Sequence, residues 1–144
     1  MRGACDEFGG LYMKSSTGGK IIVGGKEYSA SSKEINLDSR NLERIPDNLN
    51  QFPHLKRIYL LGNKITKIEN LENLNDLEEI SLSYNQISRI ENLKNLPKLK
   101  DFCIIKNPVK SIDKNTYSFF KDTGVKVNYK DVDEYIKEKK VRIE

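Results

Sequence analysis

Residues 58–68 read IYLLGNKITKI, residues 80–90 read ISLSYNQISRI, and residues 102–112 read FCIIKNPVKSI. Laid over one another, they keep apolar residues at the first, third, eighth and eleventh places and an asparagine at the sixth. Asn63, Asn85 and Asn107 are therefore 22 residues apart. The match runs on through Leu55, Leu77 and Leu99, through Leu71 and Leu93, and through Leu74 and Leu96. An earlier copy, INLDSRNLERI at 35–45, lies 23 residues upstream. It is followed by Leu49 and Phe52, has one extra residue near Pro46, and carries Arg40 in place of the asparagine. A fixed period of this length marks a stacked architecture, in which one unit cannot bury its apolar face alone.

The template has a physical reading. Ile58 and Leu60 are two apart and share one face of a strand, the core face. The chain then turns at Asn63, whose amide can bond backbone groups that the turn leaves unpaired. Ile65, Ile68, Leu71 and Leu74 follow with roughly helical spacing on the return leg.

The ends of such a stack need covering. Lys20–Val23 and Lys26–Tyr28 flank Gly24-Gly25, a hairpin signal. Tyr117 and Phe120 suit a helical cap, and Val125, Val127 and Tyr129 read as a final strand. Lys130–Lys140 reads as a short helix with Asp131 near its start and lysines at its end. Its Val132, Tyr135 and Ile136 stripe is expected to pack back on the cap. Residues 1–19 are expected to be a disordered leader or a tail added for expression, with Met13 a candidate natural start. A hairpin cap at 20–32, four repeats at 33–112 and a cap with helix at 113–144 then follow.

The repeats resemble the leucine-rich-repeat family, and over residues 33–129 its 22-residue subclass. Ile68-Glu69-Asn70-Leu71, Ile90-Glu91-Asn92-Leu93 and Asn107-Pro108-Val109 with a tyrosine-containing helix after it carry that likeness. Members include the regulatory subunit of type-one protein phosphatase, an axonemal dynein light chain and the spliceosomal A-prime protein. The resemblance implies an α/β solenoid, a short horseshoe with a parallel concave β-sheet. It also implies a non-catalytic adaptor or regulatory subunit. The spliceosomal relative keeps an RNA-associated scaffold open as the alternative.

Composition narrows the classes. The chain is 37% hydrophobic and 32% charged, a polar composition whose core must come from a well-organised pattern. The net charge of +4 is spread thinly over residues 1–30, 31–100 and 101–144, so the basic stripe of a nucleic-acid binder is missing. Cys5 and Cys103 do not make a disulfide framework. No sequon, signal-peptide stretch or membrane-length apolar run occurs. A cytoplasmic protein, monomeric alone, is expected, with a protein partner and no membrane, small-molecule substrate, cofactor or metal.

Catalytic chemistry has little to work with. His54 is the single histidine, in a loop where the repeats place Asp76 and Lys98. Cys103 has no histidine to activate it. Ser16–Lys20 lacks the first glycine and the final Ser or Thr of a phosphate loop. Asp131–Glu134 lacks the glycine and terminal glutamate of a calcium loop.

Binding is expected on the strand positions between the core residues. Four outward columns follow: Glu34, Arg57, Glu79, Asp101; Asn36, Tyr59, Ser81, Cys103; Asp38, Leu61, Ser83, Ile105; and Ser39, Gly62, Tyr84, Lys106. Tyr59, Leu61, Tyr84 and Ile105 are expected as exposed anchors. Glu79 and Asp101 would form an acidic rim, with Arg57 and Lys106 as basic contacts.

Overall fold

The computed structural model describes residues 19–144. The expectations for the leader, Cys5 and Met13 lie outside those residues. The chain is a small α/β protein with parallel sheets and two helices. Strands β1 (Lys20–Val23) and β2 (Lys26–Ser29) form an antiparallel hairpin. Strands β3 (Glu34–Asn36), β4 (Arg57–Tyr59), β5 (Glu79–Ser81), β7 (Asp101–Cys103) and β9 (Lys126–Val127) form a five-stranded parallel sheet in chain order. A second parallel sheet joins β6 (Arg89–Ile90), β8 (Ser111–Ile112) and β10 (Arg142–Ile143).

The sequence period is the sheet register. Ile35, Ile58, Ile80, Phe102 and Val127 are successive partners, and every one is buried. Leu37, Leu60, Leu82 and Ile104 form the next buried layer. The return-leg residues Ile45, Ile68, Ile90 and Ile112 close the core from the other side.

The return leg differs from its helical spacing. Its only helical element is one short 3-10 turn, Leu49–Gln51, and in two repeats it carries the short strands β6 and β8. Elsewhere, i to i+3 bonds link Leu71 to Leu74 and Leu74 to Leu77, and Leu96 to Leu99. A three-residue apolar interval therefore reports successive tight turns. Asn70, Asn73 and Asn92 explain why no helix propagates: their φ values are 64°, 69° and 62°, in the left-handed region. Two of these side chains also reach the preceding turn, Asn70 Nδ2 donating to Ile45 O at 2.8 Å and Asn92 Nδ2 to Ile68 O at 2.7 Å.

The main asparagine column lies between turns of chain, with Asn63 and Asn85 buried and Asn107 half-buried. Asn85 Nδ2 donates to Leu60 O and Leu82 O, both at 3.0 Å, while Oδ1 accepts from Ile65 N at 3.0 Å. Asn63 and Asn107 repeat this pattern. Asn128 supplies a terminal rung by accepting from Ile104 N at 2.7 Å. At the other end, Arg40 stands where the first asparagine would be, and its Nε donates to Gly24 O at 2.9 Å, tying the hairpin turn to the stack.

The hairpin also covers the sheet edge. The Tyr28 hydroxyl donates to Asn36 O at 2.6 Å and accepts from Asn36 N at 2.9 Å, filling two unpaired backbone positions of β3. Gly24, at φ 56°, leaves room for Leu37, whose Cδ2 would lie 3.0 Å from an added Cβ.

At the far end, α1 (Lys114–Thr123) starts at Asp113, which accepts from Thr116 N at 3.1 Å, and stops at left-handed Gly124. It buries Phe120 beside Phe102, ring centroids 6.0 Å apart. The final strand is shorter than the sequence suggests. Only Lys126–Val127 pairs, and the chain turns back through Val127 and Lys130. Tyr129 sits in that turn at φ 68° and is 75% exposed, so it is not the third residue of a core strand. Helix α2 (Val132–Lys139) buries Val132 and Tyr135 and packs Ile136 against the core, as its stripe suggests.

Asn85→Ala should destabilise by about 1–3 kcal/mol in urea unfolding, because it strands buried backbone groups; a loss below about 0.5 kcal/mol would contradict the ladder. Leu82→Ala should cost about 2–5 kcal/mol and Leu61→Ala far less; equal losses would overturn the face assignment. Burial pushes the Tyr135 hydroxyl up to about 12. Its unfolded value is about 10, so the folded state holds this proton more tightly. The associated stability is complete below pH 10 and is lost as pH rises towards 12. Tyr135→Phe should therefore flatten the alkaline fall in stability over that window; parallel pH profiles for the two proteins would contradict this.

Candidate functional site

The alternation that buries Ile58, Ile80 and Phe102 turns their neighbours to the opposite face of the five-stranded sheet. The outer rows can be followed across the register. The first is Glu34, Arg57, Glu79, Asp101 and Lys126. Arg57 Nε donates to Glu34 Oε1 at 3.0 Å. Lys126 is paired with Asp131. Glu79 and Asp101 stand side by side on adjacent strands.

The second row is Asn36, Tyr59, Ser81 and Cys103. Two of its members are less open than their strand positions suggest. Tyr59 is half-buried, and burial, then the charges of Glu79 and Glu34, pushes its hydroxyl up. Cys103 is buried, and that burial pushes its thiol up. Tyr129 lies near this thiol and acts on it in the opposite direction.

In the third row, Leu61 and Ile105 are 38% and 42% exposed, whereas Ser83 between them is buried. The Ser83 hydroxyl turns to the backbone and accepts from Ile105 N at 3.1 Å, so it is not an outward contact. Asp38 likewise accepts from Leu61 N at 2.8 Å.

The fourth row has a shared backbone state. Ser39, Gly62, Tyr84 and Lys106 have φ of 54°, 71°, 59° and 58°. Each turn of chain bends left-handed immediately before its asparagine or Arg40. Gly62 takes this conformation without strain, but a side chain there costs about 1–2 kcal/mol. Tyr84 carries that cost while 54% exposed.

All eight expected binding residues thus lie on this face or along its edge: Arg57, Tyr59, Leu61, Glu79, Tyr84, Asp101, Ile105 and Lys106. The exposed part is narrower than four full columns, since Cys103 and Ser83 are covered and Tyr59 is partly so. Sequence reasoning missed Tyr129 as a surface residue here. Aligning Asn128 with Asn107 would have placed Tyr129 at the exposed step of Lys64, Gln86 and Pro108.

Among the described residues, no three His, Cys, Asp or Glu side chains gather as a metal-ligand set, and no helix is long and apolar enough to cross a membrane. The sequence matches no family model and no curated protein.

If Tyr84 serves the surface and not the fold, Tyr84→Gly should change stability by less than about 1 kcal/mol, relief of strain offsetting the added freedom of the unfolded chain. A loss above about 2 kcal/mol in urea unfolding would make Tyr84 a structural residue.

Proposed function

We propose that this chain is a leucine-rich-repeat solenoid that acts as a non-catalytic protein-interaction module or regulatory subunit. The partner is a protein, met by the outer, concave face of the five-stranded sheet. Tyr84 is the observation that carries this reading. It is a large aromatic side chain, exposed, held in a left-handed backbone state that glycine fills one turn earlier. Folding gains little from such a residue, whereas tyrosine is a frequent interface anchor. Leu61 and Ile105 extend the apolar surface beside it, and contiguous patches of this kind mark interaction sites.

The repeat period, the in-register parallel strands and the asparagine column support the solenoid reading. An RNA-associated scaffold is the weaker alternative, because Glu79 and Asp101 would repel phosphates laid across this face.

Affinity capture from the source cells should compare the native chain, Tyr84→Ala with Ile105→Ala, and Lys67→Glu on the return leg. The double variant should lose the captured partner, its affinity falling by about 2–4 kcal/mol, with its melting temperature nearly unchanged. Lys67→Glu should retain the partner. The opposite pattern would move the interface to the other side of the molecule.

A further inference from the structure

Charges on the outer face are unevenly matched. Two ion pairs occupy the ends of the first outward row, Glu34 with Arg57 at 3.0 Å and Lys126 with Asp131. Between them, Glu79 and Asp101 are register partners on adjacent strands, and neither has a basic ion-pair partner among the described residues. Like charges directly opposite one another destabilise a sheet, and the basic register neighbours on the far sides, Arg57 and Lys126, are ion-paired with Glu34 and Asp131 instead. Their field extends over the face, Glu79 acting upward on Tyr59 and both carboxylates acting upward on Cys103 and Tyr129. The same face carries most of the large exposed hydrophobic side chains. Of the six large hydrophobic side chains exposed among the described residues, Leu61, Tyr84, Ile105 and Tyr129 belong to this face or its edge.

We propose that this face receives a basic, extended segment of a partner protein, its lysine or arginine side chains meeting Glu79 and Asp101 and its apolar side chains meeting Leu61, Tyr84 and Ile105. Charge complementarity selects this occupant. A cationic side chain resolves the repulsion between the two carboxylates, and an arginine can bind a carboxylate through two parallel hydrogen bonds. The neighbouring tyrosine rings favour a cation as well. A second copy of this chain fits less well, because a two-fold contact sets the same patch against itself and brings four carboxylates together.

This inference rests on the interaction-module reading, and one experiment separates the two. A random library of short peptides displayed on phage is selected on the immobilised full chain. Enriched peptides are then synthesised and titrated against the native chain, against Glu79→Gln with Asp101→Asn, and against Tyr84→Ala with Ile105→Ala. Thermal melts establish that each variant is folded. The expected peptides combine lysine or arginine with apolar residues, and they lose about tenfold in affinity on the amide variant, the effect weakening as salt is raised. Peptides that need Tyr84 and Ile105 but are neutral or acidic, and ignore the amide variant, would overturn the charge inference and leave the module reading standing. Peptides indifferent to both variants, or no enrichment at all, would overturn both.

Discussion

A buried asparagine amide between successive turns of chain is the interaction on which this structure depends. Each turn leaves carbonyls and an amide without a strand partner, and burying them unpaired would cost about 1–3 kcal/mol per group. Asn85 meets three of them at once, bonding Leu60 and Ile65 of the turn before and Leu82 of its own. One side chain thereby closes its own turn and fixes the spacing to its neighbour. The amide of Asn or Gln sets two donor hydrogens beside an acceptor oxygen on one planar head, and Asn is the shorter of the two, suited to the inside of the bend. The apolar layers can stack in register because this column holds the turns at one height.

The functional surface follows from the same constraint. To present the asparagine inward, the chain bends left-handed at the residue before it, at Ser39, Gly62, Tyr84 and Lys106. That bend turns those side chains to the edge of the outer sheet face, where sequence is free to vary. The core rows are apolar throughout, while equivalent outer steps carry Asp38, Leu61, Ser83 and Ile105, or Ser39, Gly62, Tyr84 and Lys106. A rigid stack with a variable face is a natural platform for recognition, and the proposed interaction role uses that division.

Much of this was legible in the sequence, for physical reasons. The period of the asparagines and of Ile58, Ile80 and Phe102 is the strand register, so burial and facing followed by alternation alone. Gly24-Gly25 gave the hairpin because both residues adopt positive φ there. The return leg misled because an apolar interval of three to four residues fits a helix and also fits a chain of three-residue turns. The asparagines at positive φ decide between them, and in the sequence Asn70 and Asn92 stand out as part of a family resemblance, which hides their role as helix breakers. On the outer face, alternation gave the direction of Ser83 and Cys103 but not their burial. Covering depends on cross-row contacts, such as the Ile105 amide on Ser83, which no single strand encodes. Tyr129 went astray because the Val125–Val127 alternation continues on paper through a turn that ends it in space.

Native-state hydrogen exchange offers the most direct test of the asparagine column. The amides of Leu42, Ile65, Ile87 and Ile104 lie outside the strands and are bonded to asparagine side-chain oxygens. The amides of Leu60 and Leu82 are bonded across the sheet to Ser81 O and Cys103 O. If the column holds the turns together, Ile65 and Ile87 should exchange as slowly as Leu60 and Leu82, through the same cooperative opening. Exchange of Ile65 and Ile87 at the rate of exposed loop amides, while Leu60 and Leu82 stay protected, would show that the turns open independently and that the asparagine column does not hold the stack.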